Sequence, residues 1–418
     1  MSGEIVQQLK QIVEPSALRM LGEWLEPRTC ALSPDTPVVL PESAAQLAEV
    51  VAASTKNRWR LVPCGHSSKL DWGRIPEKID LLISTSRLNR LIDHAAGDLT
   101  VTAEAGLGFQ ALQAILAQQG QFLALDPAYP EHATLGGILA TADAGSLRHR
   151  YGSVRDLCLG VTFVRYDGEI VKAGGRVVKN VAGYDLMKLF TGSFGTLGIV
   201  TEMTFRLYPV PKASRTILIV GRSALPLFGS VKTSALTPSA VDLLSASTVR
   251  QLGFGNEPAL AVRFWNIPES VQVQSEELLA FAGTAKTMQL YDAAETQFQD
   301  QLRGHFWSSQ KSGIVAKVGV LPTELPALLP EVEALGATGW FHSSGIGLVR
   351  WEDTSVETIG KLRKFLETRQ GFLTVLEAPA TLKAQLDVWG YPGNALKLMK
   401  TLQRQFDPQT LLSPGRFI

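Results

Sequence analysis

Cysteine is scarce in this chain, and charge of either sign is not in excess. The three cysteines, Cys30, Cys64 and Cys158, form no C-x-x-C pair. That excludes a disulfide framework, a cysteine-rich zinc site and an iron–sulfur cluster held by this chain alone. Basic residues number 40 and acidic ones 39, for a formal charge of +1. No basic surplus is present to draw the chain to nucleic acid or to anionic lipid. Long apolar runs are missing too: nothing approaches the roughly 20 residues of a membrane span, and Glu4 precedes any apolar run, where a signal peptide would place one. The expected location is the cytoplasm, with any approach to a membrane made through partners. A hydrophobic share of 45% with 19% charged residues is ordinary for a packed soluble enzyme. At 418 residues one core is too few, so two domains are expected.

Glycine is plentiful. Of 37 glycines, 12 fall between Gly136 and Gly198 at irregular spacing, which excludes a repeat. Each glycine inside a helix costs about 1 kcal/mol against alanine. Such density therefore points to positive φ angles or to backbone that approaches a large ligand. The Thr and Ser residues between the glycines supply hydrogen-bond donors. Upstream, a strand at 60–62 runs into Pro63-Cys64-Gly65-His66-Ser67-Ser68. Small residues after a strand can turn several backbone N–H groups into one concavity that suits a phosphate. An ordinary β-turn with a solvated serine pair fits the same letters.

One stretch imitates a dinucleotide fingerprint: Gly106-Leu107-Gly108-Phe109-Gln110-Ala111, followed by Asp126. It follows a strand in which Leu99, Val101 and Ala103 alternate with Thr100, Thr102 and Glu104, as a half-buried strand should. A Rossmann strand is buried on both faces and reads as a continuous apolar run, so no Rossmann site is expected here.

Local patterns place the other elements. Ile5, Leu9, Ile12 and Val13 form the face of a first helix. Pro15 ends it, and Ser16 is suited to cap a second short helix through Trp24. A strand lies between Pro37 and Pro41, a helix over 42–54 and a strand over 81–84. Residues 158–165 and 170–172 form a hairpin about Asp167-Gly168, and a long strand runs from Ile199 to Leu207 before Pro209 and Pro211. Beyond them strands are expected at 216–220, 259–265, 314–320, 346–351 and 372–376, with helices near 270–282, 323–335 and 355–369. From Ile314 the order strand, helix, strand, strand, helix, strand suits a ferredoxin-like unit with an antiparallel sheet covered on one face. The stretch before it reads as a worn copy. Three segments are expected: 1–211, 212–384, and 385–418, whose helix at 394–406 returns to the first.

Eight motifs occur in a fixed order: the turn at Pro63, Asp126-Pro127, Thr134-Leu135-Gly136-Gly137, Tyr151-Gly152 with Arg155-Asp156, the run from Lys179 through Asn180, Val181, Ala182, Gly183 and Tyr184 to Asp185, Gly192-Ser193-Phe194-Gly195-Thr196-Leu197-Gly198, Phe406-Asp407-Pro408, and Ser413-Pro414-Gly415-Arg416. In this order the chain resembles the FAD-binding flavoenzymes of the vanillyl-alcohol oxidase, or PCMH, type. Within them it looks most like the E subunits of bacterial glycolate oxidase (glycolate dehydrogenase), and the run from Lys179 points there. The resemblance implies an α+β protein: a PCMH-type FAD-binding domain of two α/β subdomains, plus an α+β ferredoxin-like domain with an antiparallel sheet. It implies FAD, with its pyrophosphate held through backbone amides by the turn made of Pro63, Cys64, Gly65, His66 and Ser67. Pro127, Thr134, Gly136, Gly137 and Thr141 would line the cofactor, and Ile199 and Val200 would touch it through backbone groups. Several relatives carry a histidine bonded covalently to flavin in a context like that of His66. The glycolate oxidase subunits usually have a small residue there and bind FAD non-covalently. Both attachments stay open.

The implied activity is oxidation of a small 2-hydroxy acid such as glycolate to the 2-oxo acid. That chemistry needs a base at the hydroxyl, a cation for the carboxylate and an α-hydrogen aimed at the flavin. Relatives often carry a metal motif, H-x-G-D-G-N-x-H. The corresponding stretch here, Phe341-His342-Ser343-Ser344-Gly345-Ile346-Gly347, keeps one histidine, so no metal site is expected. His342 is the candidate base, against a plainer reading as a structural histidine. Arg350 and Lys179 are candidate carboxylate partners, with a solvated charge as the default. The reduced motif equally suits a scaffolding subunit whose chemistry sits on a related chain. The resemblance implies two partners, a larger flavin subunit and an iron–sulfur subunit, which would give electrons the exit this chain lacks. Gly304-His305-Phe306-Trp307 and Thr338-Gly339-Trp340-Phe341 are candidate docking segments, with core packing as the plainer alternative.

Overall fold

The computed structural model describes residues 2–24, 32–76, 78–176, 183–308, 313–391 and 393–417. Cys30, Lys179, Asn180, Val181 and Ala182 lie outside the described residues, and the roles expected of them go no further. The chain divides into two compact units. The first comprises Met1–Ala144, Ser153–Val210 and Gly393–Ile418, and the second comprises Gly145–Gly152 and Pro211–Pro392.

The first unit begins with a four-stranded sheet of β1 (Leu18–Met20), β2 (Pro37–Val39), β3 (Leu61–Cys64) and β4 (Leu81–Ser84), in the order β1-β2-β4-β3. β2 and β3 both run parallel to β4. The helix Ala44–Asn57 starts at Ser43, whose side chain accepts the Gln46 N–H, and it turns Leu47, Val50 and Val51 onto Val39, Leu61, Leu81 and Ile83. Residues 18–20 were expected within a short helix but form β1, which pairs antiparallel with β2. Three backbone pairings along an open sheet edge outweigh the weak preference of so short a helix.

After it come β5 (Leu91–Ala95), β6 (Thr100–Glu104), β7 (Gln121–Phe122), β8 (Cys158–Val164), β9 (Ile170–Gly174), β10 (Ile199–Arg206) and β11 (Tyr208–Pro209). β7 pairs with β11. The other five form an antiparallel sheet in the order β5-β6-β10-β8-β9. β6 is buried throughout, so its sequence alternation misreads it as half-buried. Its polar side chains find partners on neighbouring segments: Thr102 Oγ1 meets Thr204 Oγ1 of β10 at 2.9 Å, and the Glu104 carboxylate takes the Arg90 backbone N–H and guanidinium, both at 2.8 Å. Antiparallel pairing on both sides excludes a Rossmann unit. Gly106 is glycine for a packing reason, since a Cβ there would stand 1.8 Å from the Thr85 carbonyl oxygen.

The second unit holds β12 (Ala213–Val220), β13 (Ala240–Leu244), β14 (Ala259–Asn266), β15 (Lys286–Leu290), β16 (Ile314–Gly319), β17 (Thr338–His342), β18 (Ile346–Trp351) and β19 (Phe372–Glu377). They make one eight-stranded sheet in the order β15-β12-β14-β13-β17-β18-β16-β19. Each half is a ferredoxin-like β-α-β-β-α-β unit, and the halves join where β13 pairs antiparallel with β17. Alternate strand residues such as Ile217, Val241, Val262, Val318, Phe341 and Val349 share one core with the helical residues Phe228, Leu278, Leu328 and Leu362. The proposed docking segments are largely interior: Phe306 and Phe341 have no exposure and Trp340 has 7%. No described helix is long and apolar enough to cross a membrane.

Candidate functional site

Two constellations stand out, one in each unit. In the first unit the turn after β3 folds onto the start of the helix Leu135–Thr141. Thr134 caps that helix, its Oγ1 accepting the Gly137 N–H at 3.2 Å. Gly65 abuts the cap so closely that a Cβ would lie 2.1 Å from Thr134 Oγ1. Ser67 takes a left-handed φ of 64°, which turns successive amides toward one side. Together with Ser193–Gly195 and Gly198–Val200 these segments line one open cleft. Its lining includes Pro63, Cys64, Gly65, His66, Ser67, Thr134, Gly136, Gly137, Thr141, Ile199 and Val200. Pro127 is buried but does not line it; the neighbouring Ala128 N–H donates to Asp143 at 2.9 Å. Lys69 and Arg416 also line the cleft, and the sequence reading missed both. The signal for Arg416 was the tail motif, and for Lys69 a lone cation just after the turn.

Chemically the cleft fits a long dinucleotide. Its walls are mostly small residues. Ser67 Oγ and Lys69 Nζ are buried in it without a hydrogen-bond partner among the described residues, as donors awaiting acceptors would be. Partial desolvation pushes His66 below the usual histidine range, and the nearby His132 backbone opposes that only in part. Of the described cysteines, Cys64 stands in the cleft wall. Cys158 is buried in β8, where desolvation pushes its thiol up to about 12.

In the second unit His342 ends β17 directly opposite Asp242 of β13, so both side chains leave the sheet on one face. His342 Nδ1 lies 2.9 Å from Asp242 Oδ1. Ser146 Oγ donates to the same oxygen at 2.7 Å and stands 3.0 Å from Nδ1. All three are at least 95% buried. A carboxylate only accepts, so Asp242 holds the proton on Nδ1 and leaves Nε2 as the basic nitrogen. Beside them His149 Nδ1 meets Ser343 Oγ at 2.6 Å, and Lys232 donates to the Ser343 carbonyl at 3.1 Å. Desolvation depresses both His149 and Lys232. Arg350 is not a solvated charge: it is buried in β18, paired in register with Thr338 rather than with His342. Asp242 and Ser146 escaped the sequence reading. The available signal was one aspartate inside the apolar run Ala240-Val241-Asp242-Leu243-Leu244.

Fold and cleft together define a flavoprotein with a PCMH-type FAD-binding fold, and its cofactor is FAD. Residues 36–174 match the family model described as FAD binding domain. The mitochondrial D-lactate dehydrogenase [cytochrome] of Arabidopsis thaliana is 25% identical over 99% of this chain and 80% of its own length. Glycolate oxidase subunit GlcE of Escherichia coli (strain K12) is 37% identical over 41% of this chain and 49% of its own. For subunit GlcD of Bacillus subtilis (strain 168) the figures are 30%, 54% and 46%, so this chain spans about half the length of either glycolate oxidase subunit. Among solved structures, p-cresol methylhydroxylase with substrate bound shares the fold with a TM-score of 0.78 at 14% identity, over 99% of this chain and 96% of the other.

Proposed function

We propose that this chain is an FAD-dependent oxidoreductase that converts a small 2-hydroxy acid such as glycolate to the 2-oxo acid, with His342 as its base. The observation that carries the reading is the buried Asp242–His342 pair. A histidine whose Nδ1 proton is fixed by a carboxylate presents Nε2 to receive a hydroxyl proton, and the carboxylate stabilises the imidazolium that results. Bound FAD supplies the hydride acceptor. The cofactor contacts are Pro63 through Ser67, Thr134, Gly136, Gly137, Thr141, Ile199 and Val200. The similarity to a lactate dehydrogenase over 99% of the chain supports a 2-hydroxy acid as the substrate class. The two glycolate oxidase subunits among the relatives support a larger flavin subunit as partner, and an iron–sulfur subunit completes that proposal.

The test is anaerobic mixing of the purified, FAD-loaded chain with glycolate and with D-lactate, followed by flavin absorbance. Bleaching by either acid is expected. His342→Gln should slow it by about 10²–10⁴-fold, the usual contribution of general-base catalysis. Wild-type flavin that neither acid bleaches, in a preparation that binds FAD normally, would favour the second reading. In that reading the chain is a scaffolding subunit, as its single histidine in the 341–347 stretch would suit.

A further inference from the structure

We propose that Lys69 binds the diphosphate of FAD by charge, and that Arg416 positions it. The Lys69 side chain is 4% exposed and lines the cofactor cleft. Its ammonium lies 3.0 Å from Asp143 Oδ2, an ion pair by distance. Yet the contact is not directed as a hydrogen bond, and Nζ has no hydrogen-bond partner among the described residues. A buried ammonium is stable only when its charge is balanced and its donors are used. Asp143 balances the charge but is already engaged, taking the Ala128 N–H at 2.9 Å on that same oxygen.

The unmet donors of Lys69 therefore need an acceptor from the cleft. FAD carries one permanently anionic group, its diphosphate, with several unshared oxygens. Ser67 Oγ, two residues earlier, is likewise buried without a partner, so two unused donors of one turn line one cleft. Arg416 acts through the backbone. Its Nη2 donates to the carbonyls of Lys69 at 3.0 Å and Leu70 at 2.9 Å, which ties the chain at Lys69 to the C-terminal segment.

The inference rests on FAD lying in this cleft. Apoprotein from riboflavin-depleted cells is titrated with FAD and, separately, with riboflavin, which has no phosphate, reading flavin fluorescence. Lys69→Met should weaken FAD by about ten- to a hundredfold, the worth of a charge-assisted hydrogen bond, and riboflavin by less than about twofold. Asp143→Asn removes the ion pair but keeps the ammonium, so it should retain the preference for FAD over riboflavin. Lys69→Met/Asp143→Asn avoids a lone buried carboxylate, folds where the single variant does not, and should lose the preference. Equal loss of both ligands in Lys69→Met, or loss of the preference in Asp143→Asn, would overturn the role. Gly137→Leu separates the two levels: if it leaves both affinities unchanged, the cofactor is misplaced; if it abolishes both while Lys69→Met changes neither, only Lys69 is wrong.

Discussion

The sharpest steric demand in the first unit is at Gly65, and Gly65→Ala tests it. The new Cβ would stand 2.1 Å from Thr134 Oγ1, 2.8 Å from its Cγ2 and 2.9 Å from its Cβ. Thr134 is 2% exposed, and its hydroxyl caps the helix Leu135–Thr141. If the threonine holds its rotamer, the site is overpacked, which typically costs about 1–3 kcal/mol. If it rotates away, the cap is lost at about 0.5–2 kcal/mol, and the methyl still meets Thr134 Cβ. A destabilisation of about 1–3 kcal/mol follows from whichever way the threonine responds. At about 2–4 °C of melting temperature per kcal/mol for a unit of this size, the first unit should melt roughly 2–12 °C lower. The assay is thermal unfolding of the chain with and without FAD, repeated in a Thr134→Ala background. Thr134→Ala removes the two nearest atoms, so Gly65→Ala should cost at least about 1 kcal/mol less there, a coupling well above the scatter of independent sites. Equal cost in both backgrounds, or a change under about 1 °C, would refute the packing argument.

Three other outcomes are expected. Arg60 grips Asp80 through Nε, Nη2 and its own backbone N–H at 2.8–2.9 Å. Burial alone would raise the Asp80 pKa, but these hydrogen bonds outweigh it and hold the carboxyl below its usual range. A depressed carboxylate stabilises the fold above its unfolded pKa near 3.9 and loses that contribution as pH falls through its folded value. Arg60→Met should therefore cost about 1–2 kcal/mol at pH 7, the lower part of the range because Arg60 is partly exposed. That penalty should shrink below about pH 4 in urea melts, and a penalty independent of pH would contradict this. We expect acid precipitation to release the flavin into the supernatant; yellow protein that pales in His66→Ala would establish covalent attachment instead. Because burial pushes the Cys158 thiol up to about 12, only about one molecule in 10⁴ carries its thiolate at pH 8. Ellman's reagent should leave Cys158 unlabelled until the chain is unfolded, and fast labelling in the native state would show that the strand opens.

The sequence by itself determined what local chemistry decides. The strand into Pro63-Cys64-Gly65 and the hairpin about Asp167-Gly168 are short-range patterns, and β3 and the pair β8–β9 lie where they point. The strand–helix order from Ile314 onward was legible for the same reason. What the sequence could not carry is who meets whom. Glu104 reads as a solvent-facing residue until Arg90 is brought against it. Gly106 imitates a fingerprint glycine in the sequence, and the reason for a glycine there is visible only with the Thr85 carbonyl standing where its side chain would be. Residues 18–20 read as helix because only the neighbouring β2 makes them a strand. The excursion of Gly145–Gly152 into the second unit has no local marker, yet it brings Ser146 to an aspartate 96 positions later and a histidine 196 positions later. Such pairings are fixed by sheet register and by the burial of charge, which act between residues distant in the chain. The tertiary structure alone could therefore turn His342 from an isolated letter into a buried histidine paired with Asp242.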